Sequence, residues 1–181
     1  IHASTPTIIE TSSSYKKREL WLLFGLAIAC AVGLFFLGPV AQDPVYHCFA
    51  DDRTLLGIPN FWNVLSNLPF VLVGGSGLIW MIRNANQDDL VIRIMYFVAF
   101  LGILLTCFGS AWYHLDPNNE TLLWDRLPMT LVFMAFFSII LSDYVGRRIG
   151  GYGFWVLLFL GLFRVLYWFY TEQSGNGDLR I

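Results

Sequence analysis

The chain alternates between long apolar runs and short polar stretches. Each apolar run holds about 20 residues with few charges, which is enough to cross the hydrocarbon core of a bilayer as an α-helix. Proline, glycine and aspartate collect in the polar stretches, which we therefore expect to be loops. The pattern predicts an all-α, polytopic transmembrane helix bundle with five spans, at residues 20–40, 61–82, 94–114, 122–141 and 152–171.

The basic residues predict how these spans are oriented. If the helices alternate in direction, the Lys and Arg residues that flank them fall on one side, which the positive-inside rule makes cytoplasmic. These residues are Lys16, Lys17, Arg18, Arg83, Arg93, Arg147 and Arg148. We therefore expect residues 1–19 to form a cytoplasmic tail, and the acidic loop 41–60 and the tail 172–181 to lie on the outer side.

The leading apolar run, residues 20–40, is interpreted as a membrane anchor. It is longer than the roughly 7 to 15 apolar residues of a signal peptide, and no clear cleavage site of small residues follows it. This interpretation places the protein in a membrane with its N-terminus inside.

Composition supports a membrane protein and narrows its partners. The chain is 56% hydrophobic and 13% charged, whereas soluble domains carry about 25% charged residues. A net charge of -2 without a basic face argues against nucleic acid. The three cysteines form no C-x-x-C motif, so no zinc-thiolate or redox site is expected. We expect the lipid bilayer, and a lipid substrate within it, to be the partners.

Three polar residues near the ends of two predicted spans could carry chemistry. Ser110 and His114 are four residues apart, so they project from one face of the third span. Asp125 opens the fourth span at about the same depth. An imidazole ligand and a carboxylate base can share a water bound to zinc, which lowers the pKa of that water to about 7. The pattern predicts His114 as a metal ligand and Ser110 and Asp125 as catalytic residues, with the Ser110 hydroxyl donating to an oxyanion.

Each of these residues also has a purely structural interpretation. Ser110 follows Gly109, and small residues in membrane helices often mark close helix packing. His114 could belong to an interfacial aromatic belt, and Asp125 could be a helix N-cap before Pro128. A generic bundle without a site therefore stays an alternative at this point.

Other polar residues also fall within the predicted spans. The second span carries Asn63, Ser66 and Asn67 in its first two turns, where polar groups need protein partners, so we expect them to face the bundle. In the fifth span, Arg164 could reach the lipid headgroups or pair with a carboxylate such as Asp125.

Three segments together resemble the alkaline ceramidase family. They are Phe61-Trp62-Asn63-Val64-Leu65-Ser66-Asn67, Gly109-Ser110-Ala111-Trp112-Tyr113-His114 and Asp125-Arg126-Leu127-Pro128-Met129. That family belongs to a superfamily of seven-helix hydrolases with the progestin/adiponectin receptors and the Per1-like proteins. The Asp-x-Leu-Pro-Met form favours the ceramidase branch over the receptors, and the likeness covers about residues 50 to 171.

The resemblance implies a function for the three residues. His114 would be one of three zinc-binding histidines, Ser110 would support the zinc site or the oxyanion, and Asp125 would orient the water or move a proton. The implied reaction is hydrolysis of the linear amide of ceramide or a related lipid to a sphingoid base and a fatty acid. The alternative is a receptor-like or channel-like member of the same superfamily, without catalysis.

The zinc ligands depart from the family pattern. Members of the family take two further ligands from a His-x-x-x-His pair on the last helix, and the histidines here are His2, His47 and His114. Residues 61–171 match the first four helices of the seven-helix core. We therefore expect an incomplete zinc site and an N-terminal fragment of a longer protein, with the segment alone inactive.

Two further departures concern the outer loop and the leading span. Where eukaryotic members carry a calcium loop with a glutamate before Phe-Trp-Asn, this chain has Asp51-Asp52-Arg53 and Asn60. Arg53 could take the place of the cation beside Asp51 or Asp52, so calcium binding is not expected. The additional leading span, residues 20–40, resembles bacterial members more than eukaryotic ones, which implies a location in a bacterial inner membrane.

Overall fold

The computed structural model describes residues 8–84 and 89–180, with backbone alone for residues 8–17, 19 and 20. Within these residues the regular structure is helical, and the only β-type pairing is an isolated bridge between Leu55 and Ile58. The helices are α1 (Ile8–Phe36), a 3₁₀ turn (Pro44–His47), α2 (Phe61–Leu65), α3 (Leu68–Arg83), α4 (Leu90–Leu115), α5 (Asn119–Tyr144) and α6 (Arg147–Gln173). The prediction of an all-α helix bundle is confirmed.

Four helical segments are long and apolar enough to cross a membrane. They are Phe61–Arg83, which combines α2 and α3, Leu90–Leu115, Asn119–Tyr144 and Arg147–Gln173. Each contains a predicted span and extends beyond it by a few residues. Many large apolar side chains on these helices are exposed, among them Phe97, Phe133, Trp155 and Phe159. Such surfaces are unfavourable in water and suit contact with lipid chains.

Helix α1 forms a separate unit that ends at Gly38, and the second unit runs from Pro39 to Leu179. The helix itself ends at Phe36, and its apolar part, Trp21–Phe36, is shorter than the other four segments. The leading span predicted at residues 20–40 therefore stays a prediction, and its last residues are not helical.

Local capping explains where α4 and α5 begin. The Asp89 carboxylate accepts a hydrogen bond of 2.9 Å from the Val91 amide at the start of α4. At the start of α5, the side chains of Asn118 and Thr121 each accept a bond from the other's backbone amide, which forms a capping box. These bonds satisfy amides that have no partner within the helix. The capping box starts α5 at Asn119, shortly after α4 ends at Leu115.

Helices α4 and α5 approach most closely at a glycine and a proline. Pro128 lies inside α5 and has no amide hydrogen, so the Trp124 carbonyl one turn earlier has no donor at the usual position. The backbone of Gly109 in α4 packs against that carbonyl, and a Cβ atom at position 109 would clash with it. The two helices can therefore lie close together at this depth. Ser110 directly follows Gly109 in α4, and Asp125 directly follows Trp124 in α5.

Two clusters of buried apolar side chains stabilise the second unit. One contains Met95, Ala99, Ala135, Ile139 and Phe154 and joins α4, α5 and α6. The other lies where α4 ends and α5 begins, which we call the site end of the bundle. It contains Tyr113, Leu122 and Trp168, with Phe49, Phe169 and Leu179 packed against it. The segments before α2 and after α6 thus fold onto the site end.

The polar residues at the start of the second span differ in their surroundings. Asn67 is buried and donates a 2.9 Å hydrogen bond to the Asn63 carbonyl. Asn63 is half-buried and donates to the Asp51 carbonyl at 2.8 Å. Ser66 is exposed and bonds within its own helix, so the expectation that all three face the bundle is wrong for Ser66. A serine hydroxyl can satisfy itself on a backbone carbonyl one turn earlier, which removes the need for a partner in the bundle.

We predict that Gly109→Ala destabilises the protein, because the added methyl group forces α4 away from α5. Overpacking of this kind costs about 1 to 3 kcal/mol. Thermal or denaturant unfolding in detergent measures the effect. Gly75→Ala is the matched control, since a Cβ at position 75 meets nothing within 4 Å and alanine favours a helix over glycine. Equal stability of the two variants would contradict the close packing at Gly109.

Candidate functional site

Ser110, His114 and Asp125 lie together at the site end of the bundle. Ser110 and His114 occupy the last two turns of α4, and Asp125 lies in the second turn of α5. The Ser110 hydroxyl and the His114 ring are both close enough to Asp125 to interact with its carboxyl group. Ser110 and Asp125 are 8% and 9% exposed, and His114 is half-buried. The proximity expected from the spacing is therefore present.

The most informative feature of this cluster is a pair of buried polar atoms without partners. Within the described residues, His114 Nδ1 and Asp125 Oδ1 are inaccessible to solvent and accept or donate no hydrogen bond. Leaving such an atom unpaired costs about 1 to 3 kcal/mol, more for a charged group. Two such atoms in one cluster need an explanation, such as a catalytic role or a bound water or ion.

The donor atoms fit part of a zinc site. An imidazole nitrogen and a carboxylate oxygen are both common zinc ligands, and His114 Nδ1 and Asp125 Oδ1 are free to act as such. A catalytic zinc ion normally has three protein ligands. The part of the chain that the structure describes contains no group of three His, Cys, Asp or Glu side chains that could hold a metal ion. The described residues can therefore supply part of a ligand set.

His47, the other histidine that the structure describes, does not complete this set. Both ring nitrogens of His47 are engaged, Nδ1 with the Tyr113 hydroxyl at 3.0 Å and Nε2 with the Asn119 side-chain oxygen at 3.0 Å. Since the Asn119 oxygen only accepts, Nε2 carries the proton and Nδ1 accepts from Tyr113. His47 thus joins the loop to both α4 and α5. His2 lies outside the described residues.

Arg126 is a residue of the site end that the sequence reasoning did not single out. Its guanidinium lies over the Trp168 ring, 4.1 Å from the ring centroid, and donates to the Gln42 side-chain oxygen at 2.7 Å. The backbone amide of Gln42 in turn donates to the Glu172 carboxylate. A charged residue inside an apolar span, next to Asp125, is itself a signal of function and could have identified Arg126.

Arg126, and not Arg164, is the arginine whose charge acts on Asp125. Arg164 is exposed and donates a 3.3 Å hydrogen bond to the Leu179 carbonyl. Of the two alternatives for Arg164, pairing with Asp125 is thus not what the structure shows. The positive charge beside the cluster comes from the next residue along α5.

The loop before α2 contains the ion pair that the sequence suggested. Arg53 binds the Asp51 carboxylate with both Nε, at 2.6 Å, and Nη2, at 2.9 Å. This pair holds the pKa of Asp51 below its ordinary value, chiefly through the side-chain hydrogen bond. The guanidinium therefore occupies both carboxylate oxygens of Asp51.

Comparison with known proteins identifies the class of protein that this architecture represents. A sequence model of the family described as Ceramidase matches residues 53–176, which is more than half of the chain. The protein therefore belongs to the ceramidase family, as the three motifs indicated, and is a ceramidase-like integral membrane protein. Neither a curated protein nor a solved structure matches it.

We predict that Arg53→Gln raises the pKa of Asp51 toward its ordinary value, because the guanidinium that stabilises the carboxylate is lost. In the native protein, the stabilising effect of this pair is present above the pKa of the unfolded chain and is lost as the pH falls through the lower, folded pKa. That pH-dependent contribution should disappear in the variant. A titration of the Asp51 carboxyl carbon by NMR measures both pKa values.

Arg83→Gln is the control for this titration, because it removes the same charge at a distant position. Arg83 lies in the last turn of α3. An Asp51 pKa that is the same in the native protein and in Arg53→Gln would contradict the assigned ion pair.

Proposed function

We propose that this ceramidase-like membrane hydrolase cleaves the amide bond of ceramide or a related lipid, with zinc as its cofactor. The single observation that carries the proposal is the buried, unpartnered pair of atoms His114 Nδ1 and Asp125 Oδ1 beside the Ser110 hydroxyl. Family membership supports hydrolysis in general. The amide, the lipid and the metal are the parts proposed.

Each of the three residues has a defined task in this reaction. His114 Nδ1 would hold the zinc ion, and Asp125 could act as a further ligand or as a base. When bound, zinc would supply a water that is activated near neutral pH. Asp125 accepts a proton from the attacking water and later delivers it to the amine leaving group. The Ser110 hydroxyl donates to the oxygen that becomes negatively charged at the amide carbon.

The reaction balances as an ordinary amide hydrolysis. A C–O bond forms between water and the carbonyl carbon, and the C–N bond breaks. The products are a sphingoid base, which takes up the proton, and a fatty acid. No oxidant or second substrate is required.

A lipid substrate is supported by the surface next to the cluster. An apolar groove of about 380 Å³ runs beside Gly109 and Pro128, where α4 and α5 approach each other. The rings of Trp112 and Trp124 stack at its edge with their centroids 6.1 Å apart. We propose that acyl chains of the substrate lie along this groove while the amide reaches the polar cluster.

The positions of the basic residues support a proposed orientation in the membrane. Arg83 is in the last turn of α3, Arg93 is in the first turn of α4, and Arg147 begins α6. All three belong to the end of the bundle opposite the site end. We propose that this basic end faces the cytoplasm and that the site faces the outer side of a bacterial inner membrane.

The incomplete donor set favours a second candidate function. Because the described residues contain no group of three metal-binding side chains, we propose that the 181-residue chain alone binds zinc weakly and turns over slowly, so that zinc has to be supplied in excess. A receptor-like or channel-like protein would use the same polar cluster to bind a ligand or to hold the bundle together. In the enzyme His114 would bind zinc, whereas in a receptor-like or channel-like protein it would bind a ligand or stabilise the bundle.

We predict that His114→Ala and Asp125→Asn each lower the hydrolysis of a fluorescent short-chain ceramide by about 100-fold or more. The assay uses detergent-solubilised protein with zinc in excess, because a partial ligand set binds the metal weakly. Zinc content by atomic absorption should fall in His114→Ala, while the thermal unfolding temperature stays near that of the native protein.

His47→Gln is the matched histidine control. His47 has both nitrogens engaged, so this variant should lose stability and keep its zinc. Either of two results would contradict the enzyme and favour the receptor-like function. One is native protein that binds lipid without hydrolysing it. The other is His114→Ala that fails to assemble while native protein lacks zinc.

A further inference from the structure

Asn60 occupies an unusual position at the start of α2. It is the N-cap residue of that helix, and asparagine at this position normally accepts a hydrogen bond from an amide in the first turn. Here its side chain makes no capping bond. Its backbone is in the left-handed region, with φ 47° and ψ 42°. Residues other than glycine adopt this conformation at a cost, and asparagine tolerates it better than most.

The Asn60 side chain is used at another helix instead. Its Nδ2 donates a hydrogen bond of 2.8 Å to the backbone carbonyl of His114. This carbonyl lies in the last turn of α4, which ends at Leu115, so it has no donor from a following turn of the helix. Asn60 therefore caps the C-terminal end of α4 from a distant part of the chain.

The loop that carries Asn60 is built to hold it in place. The Phe61 amide donates to the Arg53 carbonyl at 3.1 Å, and Arg53 is itself paired with Asp51. The Asn63 side chain donates to the Asp51 carbonyl at 2.8 Å. These bonds close the loop on both sides of Asn60, so its left-handed conformation is supported by its neighbours.

We propose that Asn60 is a positioning residue for His114, fixing the last turn of α4 so that the imidazole is directed toward Asp125. The proposal rests on the proposed function of His114, and it depends on three observations. They are the missing cap at α2, the left-handed backbone of Asn60 and the bond to the His114 carbonyl. A residue that serves only its own helix would show neither the strained backbone nor the distant acceptor.

Two substitutions separate the side chain from the backbone conformation. Asn60→Gly allows the left-handed backbone without strain and removes the amide donor. Asn60→Asp keeps the shape of the side chain and replaces the donor with an acceptor that faces a carbonyl oxygen. If the hydrogen bond is what matters, both variants release the last turn of α4.

The first readout does not depend on catalysis. The ring signals of ¹³C-labelled histidines are recorded by NMR in detergent at one pH and assigned with His114→Ala. We expect the His114 signal to shift or broaden in both Asn60 variants while the His47 signal stays in place. Amide hydrogen exchange in the last turn of α4 should speed up about tenfold, as expected for the loss of one hydrogen bond.

Asn119→Ala is the matched control, because the Asn119 side chain bonds to the other described histidine, His47, at 3.0 Å. It should move the His47 signal and leave the His114 signal unchanged. An unchanged His114 signal in both Asn60 variants would overturn the proposal, and so would an equal change of both histidine signals in every variant.

The second readout is kinetic. Hydrolysis by Asn60→Gly should lose about tenfold in kcat with KM little changed, since the residue orients a reacting group and does not touch substrate. A loss confined to KM would overturn the positioning role. If native protein shows no hydrolysis, the proposed function fails, and the NMR and exchange results still decide the role of Asn60.

Discussion

The site depends on how closely α4 can approach α5. Pro128 leaves the Trp124 carbonyl without its usual donor, and Gly109 presents no side chain in front of that carbonyl. A side chain at position 109 would collide with this carbonyl, so the two helices would have to move apart. Because Ser110 and Asp125 directly follow Gly109 and Trp124, the same contact determines whether the hydroxyl reaches the carboxylate. The packing of the two helices therefore determines whether the candidate site can form.

The two histidines beside Tyr113, His47 and His114, differ in their hydrogen bonding. His47 has partners for both ring nitrogens and joins the loop to α4 and α5. His114 has a buried nitrogen without a partner and lies against the rings of Phe49 and Tyr113. In a low-dielectric environment, a satisfied polar group stabilises the fold and an unsatisfied one is costly. This difference is the physical reason for proposing His114, and not His47, as the histidine that binds a ligand.

Sequence patterns predicted much of this arrangement, for physical reasons. Spans of about 20 apolar residues are determined by the thickness of the bilayer, so four of them could be found from hydrophobicity alone. The four-residue spacing of Ser110 and His114 places them on one helix face wherever the helix lies. What could not be predicted depends on contacts between distant segments. Arg126 contacts Trp168 and Gln42, which lie 42 and 84 residues away from it along the chain. Asn60 bonds to His114, which is 54 residues away. The exposure of Ser66 likewise depends on the break between α2 and α3.

The central claim is that the α4–α5 contact assembles Ser110 and Asp125 into one interacting pair. A double-mutant cycle on the free energy of unfolding tests it directly, with Ser110→Ala, Asp125→Asn and the double variant measured in the same detergent. Residues in direct contact show coupling of about 0.5 kcal/mol or more, and the packing described here predicts coupling of at least that size. Effects that add within about 0.3 kcal/mol would show that the two side chains do not interact and would contradict the account.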